Sequence, residues 1–131
     1  MVGTGFEPSK RQLRYFDISR RASLQSELRS RHGSTLVRAG RALAVGFNED
    51  RYFRQVGPVR ENYWTLHSEL AATLALTVSE LAGADVYNYR ETRTGERADS
   101  APCDLCQRVL TALGIKRVFY TTYEGYGCVK L

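Results

Sequence analysis

The chain has 131 residues, 43% hydrophobic and 25% charged, with 19 Lys and Arg against 14 Asp and Glu, for a formal net charge of +5. That suits one globular domain over residues 1–131, able to bury a core without disulfide staples. Its apolar runs are too short to cross a bilayer, and Met1 is not followed by a basic and then a long apolar segment. Neither a transmembrane helix nor a signal peptide is therefore expected, and the expected location is the cytoplasm.

The charge is uneven. Residues 1–60 carry 12 basic side chains against 5 acidic, and residues 61–131 carry 7 against 9. A basic first half suits an anionic partner, nucleic acid or nucleotide, and equally a merely arginine-rich surface. Three cysteines are too few for a disulfide framework. Two form Cys103-x-x-Cys106, which points to a metal or redox site in a reducing compartment, and Cys128 reads as a small buried side chain.

In chain order, Ser9 followed by Gln12 has the form of a capping box and predicts a helix reaching Ser30, with Leu13, Phe16, Leu24 and Leu28 along its stripe and His32-Gly33 past its end. Strands near 34–39 and 41–48 flank a tight turn at Ala39-Gly40. Residues 49–66 read as a loop in which Arg51, Arg54 and Arg60 lie among Tyr52, Phe53, Tyr63 and Trp64. Such interleaving serves phosphate contact and base stacking, or simply packs beneath the loop. A helix is predicted over 67–81, with Leu70, Leu74, Val78 and Leu81 on one face. A strand near 84–91, a polar loop over 92–101 and a helix from Cys103 to Leu113, stopped by Gly114, follow. Strands near 115–122 and 127–130 close the chain.

Candidate ligands sit at two predicted helix starts. His67 faces the buried side of its helix. Cys103 and Cys106, at i and i+3, face the same way, and Pro102 suits the start of the second helix. A helix N-terminus also favours thiolate. Two thiolates and one imidazole make a three-ligand zinc site with the fourth position open, as catalytic zinc requires. Glu69, on the same turn as His67, lies beside that metal without binding it. From there a carboxylate can take a proton from zinc-bound water and return it to a substrate.

His67-Ser68-Glu69 with Pro102-Cys103-Asp104-Leu105-Cys106 matches the H-x-E…P-C-x-x-C signature of the zinc nucleobase deaminases. Over roughly residues 10–131 the chain resembles the cytidine and deoxycytidylate deaminase superfamily. "HGSTLVRAGRALAVGFN" is similar to that family's first hairpin, which commonly ends in Gly-aromatic-Asn, and "GIKRVFYTT" to the strand after its cysteine helix. Ser68 stands where the family usually has alanine.

The resemblance implies a three-layer α/β/α fold around a five-stranded mixed sheet. It implies bound zinc, Glu69 as proton shuttle, and conversion of a cytosine base to uracil. It places the Ser68 amide on the base carbonyl, the Ala101 carbonyl on the amino group and Asn48 on the sugar, with Phe47 and Tyr120 as pocket walls. For the substrate, the basic first half and the arginine–aromatic loop (Arg51, Arg54, Arg60, Trp64) favour cytosine in single-stranded nucleic acid. A free nucleoside or nucleotide, cytidine or dCMP, is the alternative. A tRNA adenosine deaminase, or a non-catalytic zinc-stabilised module that binds nucleic acid, ranks below both. A homo-oligomer is compatible with any of these, and no membrane partner is expected.

The last strand decides the topology. Only Tyr123 to Tyr126 precede it, whereas a parallel crossover needs about a dozen residues or more. It is expected to run antiparallel to the strand before it. The strands near 84–91 and 115–122, each entered from a crossing helix, are expected to be parallel.

Overall fold

The computed structural model describes residues 3–49, 53–56, 59–63 and 66–131, with the backbone alone for 3–5 and for the segments within 53–63. Strand β1 spans Gly3–Phe6, helix α1 Lys10–Ser23, and strands β2 and β3 Arg31–Arg38 and Arg41–Phe47. A hairpin of β4 (Phe53–Val56) and β5 (Val59–Tyr63) precedes helices α2 (Ser68–Thr73) and α3 (Val78–Leu81). Then come β6 (Asp85–Glu91), the short β7 (Arg97–Ala98), α4 (Asp104–Ala112), β8 (Arg117–Thr121) and β9 (Tyr126–Lys130).

The main sheet runs β1-β9-β8-β6-β2-β3, with β7 paired to β6. All five expected strands are present. β6 and β8 are parallel and β9 is antiparallel to β8, as the short connection requires. Two strands exceed the expectation: β7, and β1, which adds to the edge at β9. The segment read as loop over 49–66 contains the β4–β5 hairpin.

Alternation along the strands sorts side chains onto two faces. Thr35, Tyr87 and Phe119 stand in register across β2, β6 and β8 on the α1 side, where Phe16 packs edge-on to Tyr87 at 5.2 Å and Tyr87 stacks on Phe119 at 4.7 Å. On the other face the row Leu36, Val86, Val118 meets Leu70 of α2, Leu81 of α3, Val109 and Leu110 of α4, and Leu113 at the C-cap of α4. The next row on that face is polar: Ser34, Asn88 and Tyr120. It lies beneath the helix starts that carry the site.

Two helical expectations are corrected. α1 has the capping box at Ser9 and Gln12 but ends at Ser23, and His32-Gly33 lie within β2 rather than at a helix end. Its buried face is Tyr15, Phe16, Ser19, Ala22 and Ser23, while Leu13 and Leu24 are exposed. The helix expected over 67–81 is two, because Thr77 caps α3 in a second capping box with Glu80. The break leaves Leu74 and Val78 exposed, so only Leu70 and Leu81 of the expected face are buried.

α2 presses on β3 at Gly46, where a Cβ would fall 2.6 Å from the Ser68 carbonyl oxygen and would also meet the Ala72 amide nitrogen. Backbone on both sides leaves nothing to give way. Gly46→Ala is expected to cost roughly 2 kcal/mol, lowering Tm by about 5–10 °C in a thermal melt. A melt that does not shift would show that α2 sits looser on β3 than this.

Candidate active site

His67 and Cys103 are N-caps, of α2 and α4, and both have extended backbone. The His67 ring makes no capping hydrogen bond and is turned toward the sulfurs. The Cys103 Sγ accepts the Cys106 N–H at 3.4 Å, which folds the first turn of α4 around the thiol. His67 Nδ1 lies 3.0 Å from the Cys106 sulfur and 3.9 Å from the Cys103 sulfur. The three ligand atoms all fall within 4.8 Å of one another. A tetrahedral zinc with ordinary bond lengths places sulfur and imidazole nitrogen about 3.5 Å apart and two sulfurs about 3.8 Å apart. The donor set and its spacing therefore fit zinc.

The hydrogen bond between the two thiols shifts them in opposite directions. Cys103 is pulled down to about 3, first by its hydrogen bond with Cys106 and then by His67. Cys106, fully buried, is pushed up by the same bond and by burial. The hydrogen bond to Cys103 raises His67 against the pull of burial. Ligands that compete for protons in this way release them when a metal binds.

Glu69 is 6% exposed. Burial raises its pKa, opposed by its own backbone amide, by His67 and by Asn88. Asn88 Nδ2 donates to Glu69 Oε2 at 2.8 Å. The Ser68 hydroxyl turns to Ser34 Oγ at 2.7 Å, back into the sheet.

His32, Asn48, His67, Ser68, Glu69, Ser100, Ala101 and Cys103 line a cavity of about 240 Å³. It is somewhat smaller than the pockets that take drug-sized ligands. Of the residues expected at the site, this gathers His67, Ser68, Glu69, Ala101, Cys103 and Asn48. Cys106 is beneath, within the core. The Asn48 amide is tied to the start of β2, accepting the His32 N–H at 2.9 Å and donating to the Ser30 carbonyl at 2.7 Å. Phe47 alternates away and lines a neighbouring cavity of about 370 Å³ with Gln25, Glu27, Leu28, Asn48 and Glu49. Tyr120 lies on the correct face, but a Cβ at Gly127 would strike its ring, and it does not line the 240 Å³ cavity. Its buried hydroxyl has no hydrogen-bond partner among the described residues. Arg54 and Arg60 fall on β4 and β5, while Arg51 and Trp64 lie outside the described residues.

Three lining or supporting residues escaped the sequence reading: His32, Ser100 and Asn88. The signal for Asn88 was present, since a lone amide at the centre of "VYNYR" breaks an otherwise core-facing row. His32 is held down to about 4, first by burial and then by the charges of Arg90 and His67. A depressed histidine is without penalty above the unfolded value near 6.5 and destabilises as pH falls toward 4. Protonating it would cost up to about 3 kcal/mol. His32→Gln is therefore expected to lose less stability between pH 7 and pH 4 in urea denaturation than the parent does. Parallel losses in the two proteins would contradict this.

The fold is of the cytidine deaminase-like kind, and it sets a His–Cys–Cys group suited to a metal at two helix starts. Among solved structures it is similar to the dCMP deaminase of cyanophage S-TIM5 in apo form, with a TM-score of 0.60 and 20% identity over 88% of this chain and 86% of that one. The same phage enzyme in complex with dCMP and dUMP matches at a TM-score of 0.60 and 19% identity, covering 89% and 85%. No family model and no curated protein matches the chain by sequence.

Proposed function

We propose that this protein is a zinc-dependent hydrolytic deaminase that converts the cytosine of a free nucleoside or nucleotide, of the cytidine or dCMP kind, to uracil and ammonia. The observation that carries the reading is the 240 Å³ cavity in which Glu69 stands beside the His67, Cys103 and Cys106 donors. The shared fold with dCMP deaminases supports it.

Zinc bound by His67, Cys103 and Cys106 supplies a Lewis acid that makes water nucleophilic near neutral pH. Glu69 takes the proton from the attacking water and delivers it to N3 of the base. It then takes the remaining proton from the hydroxyl now on the ring carbon and hands it to the departing amino group, so the carbonyl forms and ammonia leaves. The Ser68 backbone N–H holds the base carbonyl oxygen, the Ala101 carbonyl accepts from the amino group, and Asn48 faces the sugar. Burial suits Glu69 to this work, because a carboxylate poised above its ordinary range gives and takes protons more readily near neutrality.

The small cavity favours a free substrate over a strand, since a polynucleotide needs an open groove with basic and aromatic lining. The basic first half of the chain keeps a single-stranded substrate as the second reading. Among the described residues no helix is long and apolar enough to cross a membrane. The test is a panel of cytidine, dCMP and a cytosine-bearing oligonucleotide, read by mass spectrometry for uracil. Turnover of cytidine or dCMP is expected. Turnover of the oligonucleotide alone would transfer the case to the second reading. Binding to that oligonucleotide is expected to be absent at low salt, whereas a strand-binding protein would bind with a steep salt slope.

A further inference from the structure

Asn88 sits at the middle of β6 and is 1% exposed. A buried amide has two donors and one acceptor to satisfy. Here all are used. Nδ2 donates to Glu69 Oε2 at 2.8 Å and to the Ser100 carbonyl at 3.1 Å, and Oδ1 accepts from Ser34 Oγ at 2.6 Å. Turning the amide over would set its oxygen against a carboxylate and a carbonyl, two acceptors facing an acceptor. Its orientation is therefore fixed.

The serines extend the same logic. Ser34 spends its only hydrogen on Asn88, so its contact at 2.7 Å with Ser68 must be filled by the Ser68 hydrogen. The donors then run one way: Ser68 to Ser34, Ser34 to Asn88, Asn88 to Glu69. Ser34 is wholly buried and Ser68 is 1% exposed, so water does not compete for these bonds. The chain closes on itself, because Ser68 and Glu69 are neighbours on the first turn of α2. It ties that turn to β2 and β6 at two adjacent residues. With Oε2 anchored, the carboxylate cannot spin about its Cγ–Cδ bond.

We propose that Asn88 is the positioning residue of this site, and that its amide, aimed by Ser34 and Ser68, holds the Glu69 carboxylate in the one orientation that reaches the reacting atoms. This rests on the reading of Glu69 as proton shuttle. Buried polar side chains such as Ser34 and Asn88 are costly unless they are paired, and a pairing that ends on the carboxylate is what a placed proton carrier needs.

The test compares Asn88→Ala and Ser34→Ala with Ser19→Ala. Ser19 is as deeply buried and bonds Thr35 Oγ1 and the Tyr87 carbonyl, both at 2.7 Å, but on the α1 side of the sheet. All three variants are expected to lower Tm. Measured well below their melting points, Asn88→Ala should lower kcat on dCMP or cytidine about 10–100-fold with KM and zinc content little changed. Ser34→Ala should lower kcat several-fold, and Ser19→Ala should leave it alone. If Asn88→Ala does not fold, the Ser34→Ala result decides. A kcat within twofold of the parent, or an equal loss in Ser19→Ala, would overturn the proposal. A parent that releases no ammonia defeats the reading of Glu69 instead. The crystal structure of Asn88→Ala, or of Ser34→Ala if needed, then decides the positioning alone: Glu69 displaced or split between orientations supports it, and Glu69 unmoved overturns it.

Discussion

Glu69→Ala is expected to remove turnover by about 10³-fold or more while zinc content stays near that of the parent. General acid–base catalysis by a placed side chain is commonly worth 10²–10⁴-fold. Here one carboxylate is asked to serve the attacking water, the ring nitrogen and the leaving group. No other carboxylate lines the cavity among the described residues: His32 is held neutral, His67 and Cys103 belong to the His–Cys–Cys group, and the remaining groups are hydroxyls, amides and carbonyls. The stability effect should be small or even favourable, because a buried carboxylate is held there against desolvation. Its removal leaves one Asn88 N–H unpaired, at roughly 1–3 kcal/mol, which offsets that relief. Zinc analysis and a thermal melt on the same preparation separate loss of chemistry from loss of fold.

Cys103→Ala is expected to abolish both zinc binding and activity, with metal falling below about a tenth of an equivalent under mild chelation. Two ligands in place of three weaken such a site severely, because the affinity of a thiolate site is built from its full donor set. Cys103 is exposed and caps α4 only through its sulfur, so the fold should survive. Losing a side-chain cap costs about 1 kcal/mol. Cys106→Ala should differ in one respect. That side chain is fully buried in the core between the sheet and the helices, so its loss adds a cavity cost to the loss of metal. Equal melting temperatures for the two apo variants would contradict this division of roles. Full zinc in Cys103→Ala would contradict the ligand set.

Much of this was legible in the chain because the signals were local. Ser9 with Gln12, the turn at Ala39-Gly40, and Pro102 before Cys103 each carry their geometry in a few residues. The cluster of His67, Cys103 and Cys106 was legible because its members fall at helix starts, where spacing translates directly into direction. The single helix over 67–81 failed for an instructive reason. Leu70, Leu74, Val78 and Leu81 keep a helical period, but Thr77 and Glu80 form the same capping signature as Ser9 and Gln12, and a cap inside a helix ends it. β1 was not legible at all, since Gly-Thr-Gly-Phe lacks any strand pattern and its pairing comes from the edge of β9. Phe47 and Tyr120 show the limit of carrying contacts by neighbourhood. Phe47 adjoins Asn48 but points to the opposite face, and Tyr120 finds its space above Gly127, where no side chain competes. The lone amide in "VYNYR" marks Asn88 as unusual, but its partners depend on register between β2, β6 and β8, which no single stretch of sequence specifies.

The measurement that bears most directly on the account is the stoichiometry of the reaction itself. Protein carrying one zinc per chain is mixed with dCMP, and ammonia and dUMP are followed together, with a chelated sample and Glu69→Ala alongside; cytidine, followed to uridine, is run in the same way. The account predicts ammonia and the uracil product rising one for one with dCMP or cytidine, and neither rising in the chelated or Glu69→Ala samples. Metal-loaded, folded protein that leaves both dCMP and cytidine unchanged, or turnover undiminished by Glu69→Ala, would contradict it.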